Sequence, residues 1–128
     1  MHHRVASSAH LDWLPQETIL FDGSHLDRET TIDLAQEASC LILEAVVLGR
    51  AAMGETVTRT TLRDTRRITR EGKPFLVEPL YLATEALAAG PAILNGARAF
   101  ATLALVAQGA EDAATRMQAL LDEPGVTG

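Results

Sequence analysis

Two His-x-Asp pairs are the residues of this sequence best suited to holding a metal ion. His10 and Asp12 form one pair, and His25 and Asp27 form the other. Positions two apart on a strand share a face, so the imidazole and carboxylate of one pair could contact the same divalent transition metal. The spacing matches no recognised site, and two pairs of solvated surface residues are the alternative. Cys40 is a further soft ligand, but a lone cysteine in an apolar run usually packs as a small buried side chain.

A carboxylate pair and a glycine loop are the other places where chemistry could occur. Glu17 and Asp22 would face opposite sides of a regular strand, and no histidine or lysine is fixed beside them for acid–base catalysis. Gly49 and Gly54 have the spacing of a phosphate-binding loop, but Glu55 replaces the lysine that would reach the phosphates. A carboxylate there would repel such a ligand. We therefore predict no catalytic residues and no nucleotide binding, and we do not expect an enzyme.

A local concentration of basic residues is the clearest candidate for a binding surface. Its members are Arg59, Arg63, Arg66, Arg67, Arg70 and Lys73. One interpretation is a docking face for an acidic protein surface, and the other is a solvated edge hairpin whose charge prevents aggregation. Nucleic acid is disfavoured, because the whole chain carries a net charge of −6 and no aromatic residues are interleaved with the arginines.

Length and composition indicate one soluble domain. The chain has 128 residues, of which 47% are apolar and 4% aromatic, so a core can form but gains little burial per residue. The single cysteine excludes an internal disulfide and fits a reducing compartment. The longest apolar run, residues 40–53, is interrupted by Glu44 and Arg50 and is too short to span a bilayer. No signal peptide is visible, so we expect a cytoplasmic protein.

Hydrophobic periodicity predicts strands over most of the chain. Period-two alternation, β-branched residues and turn pairs are the signals used. The predicted strands cover residues 10–14, 17–21, 26–34, 40–48, 56–69, 75–82 and 100–106. A helix over 40–48 is not excluded by periodicity alone. Asp22-Gly23 is predicted as a turn, and residues 70–73 as the turn of a long hairpin with one wholly polar face.

The composition changes in the last third of the chain. Residues 86–97 are alanine-rich and contain the turn pairs Gly90-Pro91 and Asn95-Gly96, which predicts a loop with one helical turn. Residues 111–122 are predicted as a helix ended by Pro124-Gly125, because five apolar side chains recur on one face. They are Ala113, Ala114, Met117, Leu120 and Leu121. The predicted fold class is mainly β, with layered or stacked antiparallel sheets, long hairpins and a short C-terminal helical part.

Three segments carry a recognisable order and spacing. Residues 13–23 read Trp-Leu-Pro-Gln-Glu-Thr-Ile-Leu-Phe-Asp-Gly, residues 49–55 read Gly-Arg-Ala-Ala-Met-Gly-Glu, and residues 62–68 read Leu-Arg-Asp-Thr-Arg-Arg-Ile. Between residues 10 and 121 the sequence resembles the middle region of the UreD/UreH family of urease accessory proteins. Members of that family are longer, so the resemblance implies that residues 1–128 form the central part of a larger β-rich protein.

The resemblance implies an accessory role rather than a catalytic one. Family members act as chaperone-like scaffolds that bind apo-urease, a helical accessory partner and a GTPase during nickel insertion into the urease metallocentre. It implies no tightly bound cofactor and nickel in transit. The acidic composition predicts no nucleic-acid partner, and the short, charged apolar run predicts no membrane contact. Assembly into a homo-oligomer stays open. The candidate partner-interface residues are Glu17, Arg50, Glu55, Arg59, Arg63 and Arg67.

Two alternatives to this role stay open at the level of sequence. The chain could be a small β-rich interaction module that uses its basic hairpin on an acidic partner, or a non-functional fragment of the family. The segments 41–48 and 100–106 are apolar on both faces, which is typical of strands covered on both sides. We therefore expect the chain alone to be marginally stable or to self-associate through these strands.

Overall fold

The computed structural model describes residues 1–89, 94 and 96–122. Within these residues the chain forms eight strands, two α-helices and a short 3-10 helix, and the predicted mainly β class is confirmed. The strands are β1 (His2–Val5), β2 (His10–Trp13), β3 (Thr18–Leu20), β4 (Ser24–Leu34), β5 (Ser39–Leu48), β6 (Thr60–Arg70), β7 (Lys73–Ala83) and β8 (Ala99–Val106). The helices are α1 (Thr84–Ala88) and α2 (Ala110–Leu121), and the 3-10 helix covers Ala51–Met53.

The strands form two sheets that enclose the core between them. Sheet A has the strand order β1-β4-β6-β7. In sheet B, β5 is central, with β8 along one edge and β2 and β3 one after the other along the other edge. The chain changes sheet after β1, β3, β4, β5 and β7. It therefore re-enters each sheet in the same direction, and the pairs β1–β4, β4–β6, β2–β5 and β3–β5 are parallel.

The strand directions correct the expectation of antiparallel sheets. Within the described residues, antiparallel pairing occurs between β6 and β7 and between β5 and β8. The turn at Asp22-Gly23 closes no hairpin, because it carries the chain from β3 in sheet B to β4 in sheet A. Turn residues in the sequence mark where a strand ends, but they do not say which sheet receives the next strand.

The long hairpin of sheet A is confirmed, including its turn. Arg70 pairs with Lys73, and the two residues between them, Glu71 and Gly72, have φ angles of 49° and 76°. Two consecutive left-handed residues match the twist of a two-residue hairpin. β6 also pairs with β4 along its whole length, so β6 is an internal strand and β7 is the edge. The interpretation of the basic residues as an edge hairpin is therefore wrong for β6.

Two apolar clusters fill the space between the sheets, as the period-two alternation of the strands requires. One cluster contains Val5, Ile32, Leu34, Ala38, Cys40, Ile42, Ile68 and Val106. The other contains Leu20, Val46, Leu48, Leu62 and Leu82. Cys40 is fully buried, in agreement with its interpretation as a small core side chain, and burial raises the pKa of its thiol.

The outer faces of the two sheets differ in chemistry. On sheet A, the outward positions of β4 and β6 include Asp27, Glu29, Arg63 and Arg67. On sheet B, the outward positions of β5 and β8 are apolar from Leu41 to Val47 and from Ala99 to Leu105. Their members are Leu41, Leu43, Ala45, Val47, Ala99, Ala101, Leu103 and Leu105. We call this second surface the apolar strip of sheet B.

The predicted C-terminal helix is confirmed as α2, but its packing is not as expected. Ala113 and Met117 are half-buried, whereas Ala114 is exposed and Leu120 is 60% exposed. No residue of α2 is buried, so within the described residues its apolar side is only partly covered. None of the described helices is long and apolar enough to cross a membrane.

One local feature differs from the sequence prediction, and some predicted turns are not covered. β1 was not predicted. α1 begins at Thr84 and extends into the segment 86–97, where one helical turn was expected. The predicted turn pair Gly90-Pro91, the Asn95 of the next pair, and the helix stop at Pro124-Gly125 lie outside the described residues.

Candidate functional site

A network of charged side chains crosses the interior between the two apolar clusters. Glu44, Asp64 and Arg66 are each at most 1% exposed. Arg66 bonds to Glu44 through Nε, to Asp64 through Nη2 at 2.8 Å and to Glu78 through Nη1 at 3.2 Å. Arg28 donates from Nε and Nη2 to the two carboxylate oxygens of Asp64, at 2.9 and 2.6 Å. Each buried carboxylate is thus matched by an arginine, as buried charges require.

Neutral donors and acceptors complete this network. Trp13 Nε1 donates to Glu44 Oε1 at 2.9 Å, and Thr30 Oγ1 donates to the same oxygen at 3.3 Å. Arg28 Nη1 donates to Thr18 Oγ1 at 3.0 Å. Hydrogen bonding to Asp64 raises the pKa of the Arg28 guanidinium. Because the bonds join β2, β3 and β5 of sheet B to β4 and β6 of sheet A, the network fixes how the sheets lie on each other.

The buried network corrects the proposed basic surface. Arg66 was grouped with exposed arginines, yet it is almost fully buried. It lies on the same side of β6 as Leu62 and Ile68, so the parity of the apolar positions could have identified it as an inward residue. Arg70 is also engaged, because its guanidinium donates to two backbone carbonyl oxygens in the β4–β5 connection.

Two of the three segments that carry the family resemblance, residues 13–23 and 49–55, meet in space at Glu55. Its carboxylate accepts bonds from the backbone N of Arg50 at 2.9 Å, from Arg50 Nε at 3.1 Å and from Arg50 Nη2 at 3.3 Å. It also accepts a bond from the backbone N of Asp22 at 3.4 Å, 33 positions away in the chain. Hydrogen bonds from Arg50 lower the pKa of Glu55. We call Phe21, Asp22 and residues 49–55 together the signature cluster.

Asp22 fixes the other side of the signature cluster. Its Oδ1 accepts bonds from the backbone N of Thr58 at 2.7 Å and of Arg59 at 2.8 Å, and from Thr58 Oγ1 at 3.1 Å. These backbone N–H groups lower its pKa. Asp22 thus organises a turn, the structural alternative to acid–base chemistry. Glu17 lies exposed between β2 and β3, and within the described chain no hydrogen bond or ion pair joins it to Asp22.

The two glycines of the 49–55 loop allow the backbone conformation of that loop. Gly49 has a φ of 76°, and a Cβ there would lie 3.0 Å from the carbonyl oxygen of Glu55. Gly54 ends the 3-10 helix in the left-handed conformation, with a φ of 65°. In phosphate-binding loops the backbone N–H groups hold the phosphates. In this loop the N–H of Arg50 already donates to the carboxylate of Glu55.

The signature cluster exposes apolar side chains, although its backbone is held by the hydrogen bonds of Glu55 and Asp22. Met53 is 70% exposed and Phe21 is 47% exposed. The guanidinium carbon of Arg50 lies 4.6 Å from the centre of the Phe21 ring, a cation–π contact. Two of the predicted interface residues, Arg50 and Glu55, therefore lie beside exposed apolar side chains. Their contacts with Phe21 and Asp22 join two segments that are distant in the sequence.

Two predicted interface arginines lie on the outer face of sheet A. Arg63 is exposed and Arg67 is half-exposed, and both point outward from β6. Arg67 lies 3.9 Å from Glu29 of β4, and Arg63 lies 5.6 Å from the Tyr81 ring of β7. Arg59, another predicted interface residue, is exposed just before β6.

An apolar column beside these arginines was missed by the sequence analysis. Phe75, Val77 and Tyr81 of β7 are 60%, 45% and 62% exposed. Val77 is the cross-strand partner of Arg67, and Tyr81 is that of Arg63. The sequence did contain a signal for this column. The three residues stand at odd positions of a predicted strand, and so share one of its faces, next to the wholly polar face of β6.

The two His-x-Asp pairs lie in different sheets. His10 Nε2 contacts Asp12 Oδ1 at 2.9 Å on β2 of sheet B, and His10 Nδ1 contacts Ser39 Oγ at 2.7 Å. His25 and Asp27 lie on β4 of sheet A. In the part of the chain that the structure describes, no three His, Cys, Asp or Glu side chains are grouped so as to hold a metal ion.

Comparison with known proteins decides the family. The family model described as UreD urease accessory protein matches residues 1–128. The chain belongs to the UreD urease accessory protein family. It is 62% identical to the urease accessory protein UreD of Cereibacter sphaeroides over 97% of this chain and 46% of that protein. It is 49% identical to the UreD of Paracoccus denitrificans over 100% of this chain and 47% of that protein.

A third UreD relative gives the same proportions. The chain is 48% identical to the UreD of Sinorhizobium medicae over 97% of its own length and 46% of the relative. It therefore spans about half the length of the curated relatives that it matches. The resemblance carried by residues 13–23, 49–55 and 62–68 is confirmed as UreD family membership.

Proposed function

We propose that this chain takes part in urease maturation as a scaffold for nickel insertion into the urease metallocentre. It would act in the cytoplasm, in a complex with apo-urease, a helical accessory partner and a GTPase. The observation that carries this proposal is the 62% identity to a protein named urease accessory protein UreD. Nickel would be cargo in transit rather than a tightly bound cofactor, and the chain itself would catalyse no reaction.

The geometry supports an interface function. The carboxylates most deeply buried between the sheets, Glu44 and Asp64, are bonded to arginines, so they hold the two sheets together. The outer face of sheet A instead combines arginine with exposed aromatic residues, a composition typical of protein-binding hot spots. We propose that Arg63 and Arg67 dock an acidic surface of a partner, with Tyr81 and Val77 contributing apolar contact beside them.

Complementation tests the overall function. The chain is supplied to cells that express a urease gene cluster from which the resident UreD has been deleted. We expect urease activity and the nickel content of purified urease to rise above those of cells with an empty vector. Values equal to the empty vector, with the chain present in the soluble fraction, would contradict the proposal.

Charge reversal tests the proposed docking of sheet A. Arg63→Glu with Arg67→Glu should weaken the complex with urease and its accessory proteins several-fold. The loss should be larger at low salt, because a rim charge changes both the association rate and its dependence on salt. Arg116→Glu on α2 is the matched control, since it reverses an exposed charge on a different element. Equal binding of both variants at low salt would favour a merely solvated surface.

A further inference from the structure

We propose that the signature cluster is a preformed knob that inserts Met53 and Phe21 into an uncharged apolar pocket of a partner in the urease assembly. The proposal rests on the proposed function, because that function supplies the partner. It adds a second interface, whose chemistry differs from that of the arginine face of sheet A.

The exposed apolar side chains of the knob are the reason to expect a binding partner. The 3-10 helix Ala51–Met53 contains no buried residue, and Met53 ends it with 70% of its surface exposed. Phe21 is 47% exposed on the adjoining segment after β3. Methionine and aromatic side chains are enriched in protein interfaces, and transfer of each into an apolar pocket is strongly favourable.

The base beneath these side chains is already ordered. The backbone N of Met53 donates to the carbonyl oxygen of Arg50 at 2.9 Å, and the N of Glu55 donates to the same oxygen at 3.3 Å. The Glu55 carboxylate joins the loop to Asp22, and Arg98 Nη2 donates to the carbonyl oxygen of Glu55 at 2.7 Å. A loop held at both ends loses little further entropy on binding, which raises affinity without adding contacts.

Charge defines the kind of pocket that fits. The Arg50 guanidinium is neutralised by Glu55 within the knob. An acidic pocket would therefore gain little, because Arg50, the one cation of the signature cluster, is already paired, and the Asp22 carboxylate of the same cluster would repel it. The guanidinium keeps N–H groups that are not directed at Glu55, and these suit carbonyl oxygens at the rim. The expected pocket is apolar inside, with neutral acceptors around its edge.

Oxidation footprinting tests the contact without changing the sequence. The chain, alone and in complex with urease and accessory proteins, is treated briefly with hydrogen peroxide, and methionine sulfoxide is measured by mass spectrometry. We expect Met53 to oxidise readily in the free chain and to be protected several-fold in the complex. Met1, which is 55% exposed, is the internal reference. Protection of Met53 in the chain alone would place the pocket on a second copy and overturn the proposal.

Substitutions test whether the contact contributes to binding. Met53→Ala should weaken the complex about tenfold or more, while Met53→Leu, which keeps the apolar volume, should stay within about threefold of the unchanged chain. The loss should be nearly the same at low and high salt, unlike that of the Arg63 and Arg67 variant. Leu120→Ala, on the exposed side of α2, is the matched control.

The outcomes separate this inference from the function on which it rests. No complex between the unchanged chain and the urease proteins would overturn the proposed function and the knob together. A complex that Met53→Ala leaves unchanged would overturn the knob alone. Strong salt dependence of the Met53→Ala loss would contradict the uncharged pocket.

Discussion

At the scale of single residues, the most consequential feature is the burial of charged side chains between the two sheets. Arg66 and Glu44 lie in opposite sheets and bond directly across the core. A buried pair of this kind adds little net stability compared with an apolar pair, but loss of one member leaves an unpaired buried charge. Its value lies in fixing one alignment of the two sheets.

Removal of Glu44 should therefore be severely destabilising. Glu44→Ala leaves Arg66 without its closest acceptor, and we expect a loss of about 3–5 kcal/mol in the free energy of unfolding. Glu78→Ala is the matched control, because that carboxylate bonds to the same arginine but is 41% exposed, and it should cost less than about 1 kcal/mol. Urea denaturation measures both. Equal losses for the two variants would show that burial does not determine the effect.

Asp22 should make stability depend on pH in the acid range. Its pKa is lowered in the folded chain by the N–H groups of Thr58 and Arg59. Its contribution is therefore present above its unfolded pKa of about 4 and is lost as the pH falls through the lower folded value. We expect the difference in urea midpoint between the unchanged chain and Asp22→Asn to shrink as the pH is lowered below about 4. A constant difference would contradict this assignment.

At the scale of elements, the β6–β7 hairpin depends on the left-handed conformation of its two turn residues. Gly72 has a φ of 76°, and apart from its chain neighbours no atom of the described residues lies within 4 Å of where a Cβ would lie. Its replacement therefore acts on backbone conformation. Glu71, with a φ of 49°, adopts the same region against the preference of its type.

Substitutions in this turn should change stability in opposite directions. We expect Gly72→Ala to destabilise the chain by about 1–2 kcal/mol and Glu71→Asn to stabilise it by up to about 1 kcal/mol, because asparagine tolerates positive φ. Thermal unfolding followed by circular dichroism measures both variants. Stabilisation by Gly72→Ala would show that the turn leaves the left-handed region in solution.

At the scale of the whole molecule, the outer faces of sheets A and B differ in how they interact with water. The face of sheet A combines charged side chains with the exposed Phe75, Val77 and Tyr81, whereas the apolar strip of sheet B has Leu43 and Leu103 paired in register, each 40% exposed. Exposed strands with apolar outer faces favour association. The expectation that strands 41–48 and 100–106 would be apolar on both sides corresponds to this strip, with Glu44 and its cross-strand partner Thr102 as polar residues on the inward side.

The chain alone should therefore bind hydrophobic dye and self-associate. We expect dye fluorescence and a concentration-dependent sedimentation coefficient for the unchanged chain. Leu43→Glu with Leu103→Lys places opposite charges directly across the strands, so it should lower both signals while keeping the β-sheet spectrum. A monomer that binds no dye and unfolds cooperatively would show that the strip is tolerated in water.

The sequence by itself determined the local elements and the family. Alternation and β-branched residues located β2 to β8, the Glu71-Gly72 turn predicted the hairpin, and spaced apolar residues predicted α2. These signals are local, because side-chain period and turn conformation depend on residues a few positions apart. β1 was not predicted, because its four residues, His2–Val5, carry no strong alternating pattern. They form a strand by pairing with β4.

Only the tertiary structure decided how these elements combine. The parallel pairing of β4 with β6, the burial of Arg66, and the contact of Glu55 with Asp22 all join residues far apart in the chain. A period-two pattern states which side chains share a face, but not which face is inward or which strand lies alongside. Those choices follow from burying the apolar sides and pairing every buried charge at once, which is a property of the whole fold.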